Sequence, residues 1–251
     1  MSTLKSLVSH PPSLPPHFTF APSTLYLFLA DIGHESLFHI GYLLTSPPPP
    51  ATSTPFLAPL TGTIFHLTNT TSPSPSTYQT HTLPLPHLPK FIPTLLFILK
   101  LYPIDTILHP ALSERLGILG LQAQLKSLEM VTPRVGTEGI EGIEGTEGIE
   151  GTEGTEGIEG IETTNCTDEP EQEKEEEEEE EEKEEEEEEI TCRSWIRSTL
   201  RILDEEGYIS FPETIGPKIV VDSIEAEAVA GAMWNKMRGT VGWERSAWIG
   251  E

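Results

Sequence analysis

The sequence predicts an α+β domain, an antiparallel sheet packed by helices, interrupted by a long acidic insert. Four strand-like runs lie between residues 25 and 102, and runs with helical spacing follow them. Residues 136–190 hold 27 of the 41 acidic residues and only two lysines, so they carry 25 of the 26 net negative charges. The roughly 195 residues outside this segment suffice for one domain with a hydrophobic core.

These boundaries define three parts of the chain. We predict a flexible Pro-rich N-terminus over 1–18, a single α+β domain over 19–133 and 190–251, and a disordered Glu/Gly-rich insert over 134–189. The strongly acidic pI therefore reflects the insert and not the folded part.

Four segments have the composition of strands, with apolar, β-branched or aromatic residues between turn-forming residues. Four prolines end the second strand, because proline has no N–H to donate to a sheet. The polar, Pro-rich stretch 72–89 is predicted to be a loop. The predicted strands are 25–30, 37–45, 63–68 and 94–102.

Three segments have helical spacing. The first, 112–130, has Ser113 as its expected cap and an apolar set of Leu116, Leu119, Leu121, Leu125 and Leu128. The second, 192–205, ends at Gly207 and places Trp195, Ile196, Thr199, Leu200 and Leu203 on one face. The third starts at a capping-box pattern at 222–225, ends at Gly239, and has Ala226, Val229, Ala230, Met233, Trp234 and Met237 as its expected buried face.

The insert has two low-complexity halves. Residues 137–160 repeat a Thr/Ile-Glu-Gly triplet eight times, and 173–189 are almost pure glutamate. Like-charge repulsion and the lack of apolar residues leave little to offset the entropy of ordering. We interpret residues 136–189 as a tolerated loop expansion, with the binding of basic proteins such as histones as the alternative.

Composition also narrows the function classes. Two cysteines form no disulfide framework, which favours an intracellular, cytoplasmic location. The apolar run 91–104 contains two prolines and a lysine and is too short to span a bilayer, and the N-terminus lacks the apolar core of a secretory signal. With no basic patch and no phosphate-binding loop, we expect no nucleic-acid partner and no cofactor.

The candidate site consists of Cys192, His39 and His66. Alternation places His39 and Gly41 on one face of the second strand, and pairing with the third strand would put His66 on the same face. Gly41 leaves room beside the imidazole for another backbone or for a substrate. Cys192 opens a helix with Thr191 as N-cap, where the helix dipole favours a thiolate.

This set would support a cysteine nucleophile: Cys192 attacks an acyl carbon, His39 acts as general base, and His66 orients His39. Three other interpretations stand beside it. In the first, the histidines are packed or surface residues. In the second, Cys192 is a small buried hydrophobe. In the third, all three residues bind a metal ion, but the chain lacks the usual CxxC, HxH or HExxH spacing, so we expect no metal.

The order of a His strand, a second His strand and a Cys helix resembles the circularly permuted papain-like proteins, which include the lecithin:retinol acyltransferase group. The matching residues are 39–41, His66 and 192–195, and the chain is also similar to a family of uncharacterised fungal proteins over 24–130 and 190–248. Thr191 replaces the asparagine that usually precedes the cysteine in these proteins.

The resemblance implies a thiol-dependent hydrolase or acyltransferase acting on an amide, ester or thioester. A catalytically inactive papain-like interaction or accessory protein is the second hypothesis, with an unknown protein partner. A binder of basic proteins through 136–189 is the third. Neither the substrate nor the oligomeric state follows from the sequence.

Overall fold

The computed structural model describes residues 13–35, 37–48, 59–68, 75–131 and 190–249. These residues belong to one compact unit. The disorder predicted for 134–189 and the basic-partner hypothesis for 136–189 therefore concern residues outside the described ranges.

Six strands form one sheet in the order β4-β3-β2-β1-β5-β6. Every neighbouring pair is antiparallel except β5 and β6, which are parallel. The strands are β1 Thr24–Asp31, β2 Phe38–Thr45, β3 Thr61–Thr68, β4 Thr77–Pro84, β5 Leu95–Pro103 and β6 Gly242–Arg245.

Two features of the sheet correct the sequence prediction. The sheet is mixed and not antiparallel, because the last helix returns the chain so that β6 enters beside β5 in the same direction. The predicted loop 72–89 is also wrong in part, since Thr77–Pro84 pairs with β3 along its whole length. The described prolines of this stretch lie before the strand (Pro75), at its last residue (Pro84) or after it (Pro86 and Pro89), where no ladder N–H is needed.

Four α-helices lie within the described residues. They are α1 Leu88–Phe91, α2 His109–Val131, α3 Cys192–Glu205 and α4 Pro217–Arg238. The predicted starts of α2 and α4 are wrong: Ser113 and the 222–225 pattern lie inside the helices. Proline near each true start already has the φ of a helix and needs no N–H donor there.

The two faces of the sheet pack against different layers. On the helix face, alternate residues of the central strands, such as Phe38, Ile40 and Tyr42, pack with α2, α3 and α4. On the opposite face, Phe28, Leu43, Ile64 and others pack with α1 and with Phe18 and Phe20 of the N-terminal segment. The ring centroid of Phe18, the last residue of the predicted N-terminal segment, also lies 5.2 Å from that of Trp243.

The buried face of α3 agrees with the prediction, that of α2 agrees only at Leu116 and Leu119, and that of α4 does not agree. All five predicted core residues of α3 are buried. In α2, Leu121, Leu125 and Leu128 are exposed, and in α4 the exposed residues include Met233, Trp234 and Met237. Both helices have apolar residues around much of their circumference, so spacing alone does not select a face. The buried residues of α4 are Val220, Val221, Ile224, Glu225, Ala228, Ala232 and Asn235.

No helix among the described residues is both long and apolar enough to cross a bilayer.

Candidate functional site

The antiparallel pairing of β2 with β3 brings two imidazoles into direct contact. Gly41 lies opposite His66 in this pairing, so His39, two residues earlier on the same face, is the diagonal neighbour of His66. His39 Nε2 and His66 Nδ1 are 2.7 Å apart, and the rings meet edge to face with centroids 4.9 Å apart. The two nitrogens therefore share one hydrogen bond, with either ring as donor.

Gly41 is required by close packing beside this pair. A Cβ at this position would lie 2.6 Å from the Phe28 ring and 2.8 Å from the carbonyl oxygen of Phe65. The space that the sequence predicts beside His39 is thus filled by an aromatic ring and a neighbouring backbone. The sequence predicted that either another backbone or a substrate would approach at this position, and the structure shows protein atoms there.

The histidine pair lines a pocket of about 400 Å³ on the face of the sheet that is turned away from α2, α3 and α4. Volumes in this range are typical of small-molecule sites. Both polar and apolar side chains line it. We call it the histidine pocket, and its lining residues are Phe28, Ala30, Asp31, Ile32, His39, His66, Thr68, Gln79, His81, Phe91, Ile92, Pro93 and Thr94.

A third imidazole, His81, completes the polar part of this pocket. Its ring centroid lies 5.7 Å from that of His66, and its Nε2 is 3.3 Å from Gln79 Oε1, which can only accept, so Nε2–H donates. Sequence reasoning missed both His81 and Gln79 because it assigned β4 to a loop. The alternation of threonines with Tyr78, His81 and other residues was the available signal.

Burial keeps the histidine pair uncharged near neutral pH. It lowers the pKa of His39, and it lowers the pKa of His66 to about 4, with repulsion from His39 and His81 acting in the same direction. Within the described residues, the enclosed Nε2 of His66 has no hydrogen-bond partner. The pair is thus a neutral donor–acceptor unit with one unpaired ring nitrogen.

Cys192 lies on the other side of the same strand. Its Sγ is 3.9 Å from the carbonyl oxygen of Phe38, and its side chain packs against the apolar cluster of the helix face. His39 projects to the opposite face, where it contacts Phe28. The backbone of β2 therefore separates the thiol from the imidazoles. The structure brings His39 and His66 together and does not bring Cys192 to either of them.

The helix cap next to Cys192 forms as predicted, but the pKa of the thiol is raised and not lowered. Thr191 caps α3 as expected: its Oγ1 accepts from the N–H of Ser194 at 3.1 Å, and Ser194 Oγ accepts in return from the N–H of Thr191 at 2.9 Å. Burial nevertheless raises the pKa of the thiol, against the lowering effect of the Ile40 backbone and of Arg193. At neutral pH the thiol form is favoured, which is unsuitable for a nucleophile.

Among the described residues, no three His, Cys, Asp or Glu side chains converge on a position that could hold a metal ion. The hydrogen bond between His39 and His66 uses one nitrogen of each ring.

Comparison with known proteins gives no match: neither a family model, nor a curated protein, nor a solved structure is similar to this chain. The function is therefore argued from the chemistry of the site.

Proposed function

We propose that this domain is a binding or accessory module whose ligand position is the histidine pocket, and that Cys192 has a structural role. One observation carries this proposal: the thiol lies on the helix face of β2, whereas His39 and His66 lie on the opposite face. A thiolate–imidazolium pair requires hydrogen-bond contact between nucleophile and base. Acyl chemistry also requires a thiol with a lowered pKa, whereas burial raises the pKa of Cys192.

The pocket supports a ligand of particular chemistry. Burial lowers the pKa of His39 and of His66, so this pair favours an uncharged hydrogen-bonding group over an anion. Phe28, Phe91 and Ile92 provide an apolar wall. We therefore assign it a small uncharged molecule with an apolar body and a polar edge.

The relation to permuted papain-like proteins is part of the same proposal. It is supported by the chain order of His39 strand, His66 strand and Cys192 helix within an α+β fold. Under this proposal the chain keeps the order of the two strands and the helix, but the Cys192 thiol lacks the contact with an imidazole that acyl chemistry needs. We also assign the protein to the cytoplasm, since the two cysteines of the chain form no disulfide framework.

The first test measures the reactivity of the thiol. In a Cys166→Ser background, Cys192 is the only thiol, and its iodoacetamide alkylation rate is followed from about pH 6 to pH 10. We expect an apparent pKa above the ordinary value of about 8.5, with no response to His39→Ala. An apparent pKa below that value, rising in His39→Ala, would instead support the hydrolase or acyltransferase hypothesis, with Cys192 as nucleophile, His39 as base and His66 as orienting residue.

The second test addresses the ligand. Ligand-observed NMR at pH 7.5 compares benzamide with benzoate, two probes of equal size that differ in charge. We expect weak binding of benzamide, with a Kd on the order of 1 mM, and weaker binding of benzoate. The His66→Gln variant should lose the benzamide signal, while the exposed His87→Gln control should keep it. Equal signals in both variants would contradict a site at the histidine pocket.

A further inference from the structure

Within the part of the chain that the structure describes, helix α2 carries a second row of apolar residues that is exposed. One face, formed by Leu112, Leu116, Leu119 and Ala123, is buried against the rest of the domain. The other carries four exposed residues, which we call the α2 seam: Ile118, Leu121, Leu125 and Leu128, with exposed fractions of 40%, 55%, 59% and 39%.

The spacing of the α2 seam is that of a helix–helix contact. The intervals of three, four and three residues are those of heptad a and d positions, which keep one stripe facing a partner helix. A membrane-binding helix would carry basic residues along the border of its apolar face and aromatic residues within it. The α2 seam has no aromatic residue, and Lys126 is the only cation between Ile118 and Leu128.

We propose that the α2 seam pairs with the α2 seam of a second copy of this chain, in antiparallel orientation about a two-fold axis near Ala123. The interval pattern is the same when read in either direction, so this axis sets Leu121 against Leu125 of the second copy. The same axis sets Ile118 against Leu128. The most exposed residues thus meet at the centre and the less exposed ones at the rim.

The charges along α2 are compatible with this orientation. With Ile118 and Leu125 at a positions, the e positions that border the α2 seam are Gln122 and Glu129, and the g positions are Gly117 and Gln124. The two-fold axis sets e positions beside e positions and g positions beside g positions. Gln122 therefore lies between Gln122 and Glu129 of the second copy, and Gln124 lies between Gly117 and Gln124 of the second copy. No like charges are opposed in this stretch, so no repulsion offsets the apolar contact.

The charge of the insert favours antiparallel over parallel pairing. Each chain carries 25 net negative charges in residues 136–190, which follow the end of α2 closely in sequence. In a parallel pair, the two α2 helices would end next to each other, so the acidic segments of both copies would begin side by side and repel each other. Antiparallel pairing places the two ends of α2 about 24 Å apart, from a rise of about 1.5 Å per residue, and this is about three Debye lengths at physiological salt.

The expected affinity is modest. Four partly exposed aliphatic side chains per copy, with their neighbours, form an interface near the lower limit of roughly 1,000 Å² for specific association. We therefore expect a dimer with a Kd on the order of 10 μM.

Sedimentation equilibrium of the full chain, at concentrations from 2 to 200 μM in 150 mM NaCl, tests this proposal. The wild type should pass from monomer to dimer, and Leu121→Lys should remain monomeric with an unchanged circular dichroism spectrum. Met237→Lys, at an exposed apolar position on α4, is the matched control and should still dimerise. A wild type that stays monomeric at 200 μM, or loss of the dimer in Met237→Lys alone, would overturn the proposal.

A mixing experiment tests the orientation. In the antiparallel dimer, Leu121→Lys faces Leu125→Glu of the second copy, so an equimolar mixture of these two variants should restore the dimer although neither variant dimerises alone. A mixture of Leu121→Lys with Leu121→Glu should not. If only this second mixture restores association, the helices are parallel and the two-fold arrangement proposed here is wrong.

Discussion

Acidification should destabilise the domain through His66. The folded state lowers the pKa of this imidazole from 6.5 to about 4, so below pH 6.5 the unfolded chain binds the proton more readily and folding becomes less favourable. The stabilisation is fully present above pH 6.5 and is lost between pH 6.5 and pH 4. At pH 5 these two pKa values correspond to about 2 kcal/mol. Because His66 is only partly buried, we halve this to about 1 kcal/mol.

Urea unfolding followed by tryptophan fluorescence at pH 7.5 and pH 5 measures this loss. His66→Gln cannot be protonated at this position and should lose the His66 contribution. What remains comes from His39, whose pKa is lowered in the same direction, and from Glu227, whose pKa is raised by burial and which acts in the opposite direction. The exposed His87→Gln variant is the control and should show the wild-type dependence. Asp31, whose pKa is lowered by Lys236, stays ionised at pH 5 and adds nothing in this range. Equal pH dependence in His66→Gln and wild type would refute a buried neutral imidazole.

Two further substitutions test the packing around the site by the same urea assay. Gly41→Ala would push a Cβ into the Phe28 ring and should cost about 2 kcal/mol or more. At Gly216 a Cβ meets only open space, so Gly216→Ala should cost no more than about 1 kcal/mol, from the poorer N-cap of α4. Tyr42→Phe removes the 2.8 Å hydrogen bond to the Ile196 carbonyl that joins the sheet to α3, and should cost about 1 kcal/mol. A cost for Gly216→Ala equal to that for Gly41→Ala, or no cost for Tyr42→Phe, would contradict these contacts.

The strands of the sheet centre and the helix that begins at Cys192 are determined by local sequence. Continuous apolar runs specify β1 and β5, and period-2 alternation around Phe38–Thr45 specifies β2. Thr191 and Gly207 set the limits of α3, because a side-chain oxygen can cap the first turn and glycine adopts the positive φ of 77° beyond the last one. These signals act over a few residues and need no tertiary information.

The edges of the sheet were harder to predict. Strand β4 is Thr-rich and mostly exposed, so it lacks the apolar pattern of a buried strand and depends on pairing with β3. Strand β6 has only four residues, and its parallel position beside β5 follows from the path of α4. Long-range hydrogen bonding decides such elements, and it leaves little trace in local composition.

The sequence by itself determined which residues share a face within each strand, such as His39 with Gly41 and Ile64 with His66, because alternation along a strand is a local property. The pairing of β2 with β3 then brought the two imidazoles to one face of the sheet. Only the tertiary structure decided on which face of β2 the α3 helix packs. Helix α3 presents Trp195 and Ile196 to the same apolar face as Phe38, and burial of these side chains fixes Cys192 there, away from the histidines. The hydrophobic effect orients the helix by its whole apolar stripe, and one thiol contributes too little to change that choice.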